Sequence, residues 1–176
     1  LGSVPYDAIL FLGNGEDTKA LASFLRYYNV SARDASMYGT TMWDGSDIAS
    51  DYTLSGAKYA TLPQPKPEFT TLYEQISGTT PNRLASFGYD ATNMAINMLA
   101  SNKSKSAYLL DPSGYIGTDG LFRLKPNGDN ERALRIMQLN GSGTPTEIRP
   151  APTSFIIPLY NIEQKRIEPA NAMDME

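Results

Sequence analysis

Tyr6-Asp7-Ala8-Ile9-Leu10-Phe11-Leu12-Gly13-Asn14-Gly15-Glu16-Asp17 is the stretch whose reading decides the fold. Its first seven residues are almost continuously apolar and read as a buried strand, the pattern of a parallel sheet covered on both faces. Gly13-Asn14-Gly15 then turns the chain into a helix over Glu16 to Tyr28, where Leu21, Phe24, Leu25 and Tyr28 recur at i, i+3, i+4 and i+7. Asn14 is placed to cap that helix, with Asp17 three residues on, and the acidic pair Glu16 and Asp17 suits the positive helix start. A second strand follows around Ala35 to Thr41. Strand, turn, helix and strand in this order form the βαβ unit of a parallel sheet.

Beyond it, Gly39 to Gly45 reads as a loop, Asp47 to Asp51 as a short helical piece and Ala57 to Leu62 as a third strand. Pro63, Pro65 and Pro67 fix the backbone at alternate positions and make an extended connector. Pro67 also opens a helix, in which Phe69, Leu72, Tyr73 and Ile76 recur at helical spacing until Gly78 ends it. Leu84 to Ala100 reads as the longest helix, with Leu84, Phe87, Ala91, Met94, Ala95, Met98 and Leu99 on one face. Gly114 to Gly120 reads as a glycine-rich loop. Leu121 to Leu124 and Arg132 to Leu139 flank the turn Pro126-Asn127-Gly128-Asp129 and form a β-hairpin over about 120–140. The segment 144–176 reads as a tail with one docking segment at Phe155-Ile156-Ile157.

The composition removes several classes of chemistry. The 176 residues include no His and no Cys, which excludes Ser-His-Asp and Cys-His nucleophilic catalysis and the usual zinc and iron–sulfur sites. A net charge of −4 with no basic cluster argues against nucleic acid or an anionic membrane surface as partner. Apolar runs reach about five residues where a membrane span needs about 20. Gly114 to Gly120 lacks the lysine of a phosphate-cradling loop, and no facing pair of carboxylates can be named. The expectation is a non-enzyme without cofactor or metal.

Ligands of open α/β sheets sit beyond the carboxyl ends of the strands. Two loops qualify. In the first, Gly15 would let a ligand approach the backbone and the free N–H groups beside Asn14 and Glu16 would face it, although the two acidic residues there repel an anion; the alternative is a plain capped turn. In the second, Thr41, Trp43 and Asp44 stand together. Trp43, the single Trp, would close over a ligand or anchor a partner, or else pack as a half-buried residue. Asp44 would accept an ammonium group, or else serve as a turn residue. Tyr89, on the long helix, would hydrogen-bond toward a ligand or else pack.

Several short motifs carry a resemblance: Gly39-Thr40-Thr41-Met42-Trp43-Asp44, Leu54-Ser55-Gly56-Ala57, Gly88-Tyr89-Asp90-Ala91, the run Gly114 to Leu124, and Asn127-Gly128 through Arg132. Together with the opening strand and turn, this ordered set resembles the second half of the type I periplasmic binding proteins, two-lobed proteins that bind branched-chain amino acids for ABC transporters. Pro150-Ala151-Pro152-Thr153-Ser154-Phe155 is similar to the end of the penicillin-binding-protein activator lipoproteins, a proteobacterial branch of that superfamily. The resemblance covers roughly residues 5–156. It implies an α/β fold of Rossmann-like parallel sheets flanked by helices, present as a C-terminal half, plus the hairpin. Residues 1–62 would belong to one lobe, 63–67 to the hinge crossing, 68–143 to the second lobe and 144–176 to the tail; a self-sufficient compact α/β domain is the other reading of the length. Asn14, Gly15, Glu16, Thr41, Trp43, Asp44 and Tyr89 would then be the cleft candidates. The implied function is non-catalytic regulation of peptidoglycan synthesis through a penicillin-binding protein. The alternative is a solute-binding protein that takes an amino-acid-like ligand and works with an ABC permease. Either places the protein in the periplasm, the first as an outer-membrane lipoprotein whose anchor lies outside this chain. Exposed strand edges would favour self-association.

Overall fold

A computed structural model describes residues 5–156; the part of the expected tail over 157–176 lies outside the described residues. The opening unit forms as its pattern predicts, with β1 at Ala8–Leu10, α1 at Gly15–Tyr27 and β2 at Ser36–Gly39. Asn14 caps α1, its side-chain oxygen accepting the Asp17 N–H at 2.9 Å. Three short 3-10 turns, Thr41–Trp43, Asp47–Ser50 and Tyr52–Leu54, lead to β3 at Lys58–Thr61. The proline connector leads to α2 (Pro67–Ser77) and α3 (Ala85–Ala100), and α4 (Lys105–Leu109) follows. The remaining strands are β4 (Tyr115–Gly117), β5 (Gly120–Leu124), β6 (Asn130–Arg132), β7 (Arg135–Gln138) and β8 (Thr146–Arg149).

These strands build two sheets. The larger has the order β1-β2-β3-β7-β8. Its first three strands are parallel, and β7 and β8 are added antiparallel. The smaller is the antiparallel sheet β4-β5-β6. Two expectations are corrected here. The hairpin closes at β5 and β6, not over 120–140: Ala133 and Leu134 carry the chain back to the first sheet, where β7 pairs with β3 from Lys58↔Gln138 to Thr61↔Arg135. Residues 144–156 are not all tail, because Thr146–Arg149 is the strand β8. A third strand, β4, occupies part of the expected glycine-rich loop. Its Tyr115↔Phe122 pairing puts two aromatic rings on one face.

The helices form at the expected places but bury different faces. In α1 the buried stripe is Gly15, Thr18 and Ala22, small residues that let the helix approach the 3-10 turns closely, while Leu21, Phe24 and Tyr28 face outward, Phe24 being 64% exposed. In α2 only Phe69 is buried. In α3 the inward face is Ser86, Asp90 and Met94. The expected stripe is mostly outward, with Leu84, Ala91, Ala95 and Leu99 all exposed. β1 is likewise not a buried strand but an edge strand with Leu10 exposed, and Leu12 just beyond it is 70% exposed. The physical reason is that only one layer covers the large sheet among the described residues. The core lies between that sheet and α1 with the 3-10 turns: Phe11, Ala22, Met37, Trp43, Ile48, Leu54, Tyr59 and Leu139.

Candidate functional site

The parallel strands β1, β2 and β3 end together, and the loops that follow them form a rim. All but one of the expected site residues on this rim are engaged by the protein itself. Asn14 is the α1 cap. Gly15 is buried against the Ser46 side chain, and a Cβ there would sit 2.6 Å from the Ser46 Cβ, so this glycine serves the packing of helix on loop, not the approach of a ligand. Glu16 is exposed beside it. Thr41 Oγ1 lies 3.2 Å from Thr61 Oγ1 at the end of β3.

Trp43 is 1% exposed and belongs to the core, so it neither closes over a ligand nor sits half-buried. Its ring meets Phe11 and Tyr59 at centroid distances of 5.9 and 5.8 Å, and its indole N–H donates to Thr18 Oγ1 on α1 at 3.0 Å. The backbone at Gly39 lies so close to the indole that a Cβ there would overlap the ring. Gly39, Trp43 and Thr18 therefore fasten the second loop to the first helix.

Asp44 is not free for a ligand ammonium. Its carboxylate accepts from Arg83 Nη2 at 2.7 Å. Arg83, just before α3, also donates to Thr61 Oγ1 at 3.4 Å and to the carbonyls of Leu62 and Pro63 at 3.3 Å each. The guanidinium thus sits on the strand ends with its donors spread over one carboxylate and three neutral oxygens. The Asp44 charge adds to burial, the larger cause, in pushing the Tyr59 phenol up from its ordinary value. Arg83 and Thr61 are the rim residues that sequence reading missed. A lone arginine after a Pro-Asn pair carries no spacing signal, and Arg83 reaches Asp44 across 39 residues.

Tyr89 does not join this rim. It packs against Phe69 at 5.1 Å and faces a separate cavity between α3 and β4. A second polar cluster lies behind that cavity. Asp90 accepts the Thr118 N–H at 2.8 Å and the Thr118 hydroxyl at 2.7 Å. Asp119 is fully buried and accepts from Ser86, while its Oδ1 has no partner. Burial raises the Asp119 carboxyl above the ordinary Asp range, with Ser86 and nearby Arg83 opposing. Among the described residues no three acidic side chains converge closely enough to hold a metal ion.

No family model matches this chain, and no curated protein matches it by sequence. Solved structures do match. The leucine-binding protein LivK of Thermotoga maritima superposes with a TM-score of 0.54 at 16% identity, over 80% of this chain and 43% of that one. The C-domain of LpoA from Haemophilus influenzae, a regulator of PBP1A, gives 0.54 at 17% identity over 81% and 44%. A solute-binding protein of an ABC transporter from R. palustris, in complex with benzoate, gives 0.50 at 14% identity over 84% and 44%. The chain therefore has the fold of type I periplasmic binding proteins and spans less than half the length of the structures it matches. Those structures are binding proteins and a regulator.

Proposed function

We propose that this chain, as the later part of a two-lobed binding-protein fold, acts without catalysis in the periplasm, regulating peptidoglycan synthesis by contacting a penicillin-binding protein. The observation that carries this reading is the occupied rim. Arg83 covers Asp44 and the ends of β3, Trp43 is in the core, and Ser46 fills the space over Gly15. A rim filled by its own side chains leaves no open solute pocket at the strand ends, which favours recognition by surfaces there. The exposed aromatic and aliphatic side chains of α1 supply such a surface, since aromatic residues dominate the energetics of protein contacts. The division into parts of two lobes joined at 63–67 belongs to the same reading, as does an outer-membrane lipoprotein anchor.

The test is co-purification and surface-plasmon binding of the longer natural polypeptide with a penicillin-binding protein from the same organism. Saturable binding supports the reading. Its loss, together with tight calorimetric binding of a branched-chain amino acid, supports the second reading instead: a solute receptor working with an ABC permease. One observation favours that second reading. The Arg83 guanidinium is about a third exposed (35%) and could receive a ligand carboxylate if Asp44 moved away.

A further inference from the structure

The cavity that Tyr89 faces encloses about 380 Å³, within the range of small-molecule sites. One wall is α3, where Tyr89, Asn93 and Asn97 stand at i, i+4 and i+8 and so form one stripe, with the two carboxamides about 6 Å apart by helical rise. The lining also carries the rings of Tyr108 and Tyr115, 5.4 Å apart and tilted. No side-chain hydrogen bond among the described residues uses Asn93 or Asn97, whereas neighbouring Asp90 is already committed to Thr118. The walls are held in place from behind. A Cβ on Gly117 would overlap the Asp90 carboxylate, and the Tyr115 hydroxyl donates to the Tyr108 carbonyl.

The chemistry of this groove is selective. A carboxamide offers a donor pair and an acceptor side by side, which matches adjacent hydroxyl groups. The aromatic faces in the lining suit a ring with apolar C–H faces. An apolar ligand would strip water from two amides and leave them unpaired, at a penalty. The lining carries Lys66 and Glu68, of opposite charge, and Asp90, whose carboxylate is taken up by Thr118. We propose that this groove binds a neutral saccharide of one or two pyranose rings, stacked on the Tyr108–Tyr115 pair and hydrogen-bonded by Asn93 and Asn97, whose spacing is comparable with the length of one ring. This inference stands apart from the penicillin-binding-protein reading and survives its failure.

The experiment is calorimetric titration of the full 176-residue chain with cellobiose and with chitobiose, which share ring geometry and differ in their acetamido groups. Saturable binding of either, weakened about tenfold or more when Asn93→Ala and Asn97→Ala are combined, is the expected result; tenfold is the scale of one lost hydrogen bond. The variant's melting temperature is measured alongside. Should the variant unfold, the tyrosine ring resonances of the parent chain decide, because those of Tyr89, Tyr108 and Tyr115 must shift with disaccharide concentration. Absence of binding by both disaccharides, equal binding by a folded double variant, or unmoved tyrosine resonances would each overturn the proposal.

Discussion

Arg83 holds Asp44 at 2.7 Å from the start of a different helix, and the same guanidinium reaches Thr61 and the Leu62 and Pro63 carbonyls. One side chain thus joins the loop after β2, the end of β3 and the proline connector. Because it spans both sides of that connector, its removal acts on the relation between the two sheets more than on either alone.

The direct pair is partly exposed, so a double-mutant cycle of Arg83→Ala and Asp44→Ala should give a coupling of about 1 kcal/mol or less. Arg83→Ala alone should cost more than that, since three oxygens lose a donor with it. Amide exchange over residues 61–66 should accelerate in Arg83→Ala and stay slow in β2. Equal exchange in both segments would remove the joining role from Arg83.

Trp43→Phe keeps a ring in the core but deletes the N–H that meets Thr18. The expected loss is about 1–2 kcal/mol, one buried hydrogen bond plus a small void; Trp43→Ala should lose about 3–5 kcal/mol. Trp43 fluorescence should be blue-shifted and resist iodide quenching. Emission typical of a wet indole would contradict its burial.

Gly39→Ala and Gly117→Ala each push a methyl into a packed group, the Trp43 indole and the Asp90 carboxylate respectively. Overpacking of this kind costs about 1–3 kcal/mol or more. Gly45→Ala, which meets no neighbour within 4 Å but has φ +74°, isolates the backbone contribution at a comparable loop. Urea midpoints of the three variants should fall furthest for Gly39 and Gly117; the reverse order would mean the close approaches are relieved at little expense.

Asp119 sets a pH dependence. Its folded-state titration lies above the unfolded value of about 3.9 because burial disfavours the charge. Its contribution to stability is therefore complete below the unfolded value and is lost as pH rises through the raised folded value. Asp119→Asn, which keeps an acceptor for Ser86 and stays neutral, should melt higher than the parent at neutral pH. That gap should shrink as the solution is acidified toward the ordinary Asp range. The exposed carboxylates of Asp34, Asp47, Asp111 and Glu131, whose values are lowered, act in the opposite sense but equally in both proteins. A gap independent of pH would show that Asp119 does not titrate in this window.

The outward Leu12, Phe24, Tyr27 and Tyr28, together with the edge of β1 that has no partner strand among the described residues, should drive self-association. Light scattering coupled to size exclusion should show a mass that rises with concentration, and the combined Leu12→Lys and Phe24→Glu variant should shift it toward monomer. A concentration-independent monomer for the parent chain would exclude the association.

Local signals were well preserved in the sequence. The Asn14 cap, the proline connector, the Gly78 end of α2 and the βαβ order all follow from nearest-neighbour chemistry, and each forms. What periodicity could not reveal is the surface a helix meets. Leu21, Phe24 and Tyr28 mark an apolar face of α1, but Gly15, Thr18 and Ala22 turn inward because small side chains permit a close approach of the helix to the 3-10 turns. The departure of β7 from its expected hairpin partner was equally hidden, since Arg132 to Leu139 alternates as well in either sheet. At the rim, the loop positions were legible but their occupants were not. Trp43 lies deeper than the half-buried packing its polar loop suggests, and Arg83 left no trace in any local pattern.

The placement of β7 has a consequence for how the chain assembles. Gln138 meets Gly56 across 82 residues of sequence, so the first sheet stays open along β3 until β7 has been made. Such distant pairing is closed slowly, because loop entropy must be overcome before the contact forms. During synthesis the β3 edge, flanked by its buried Tyr59 and Thr61, is the segment that waits longest for its partner and is most exposed to mispairing with a neighbouring nascent chain.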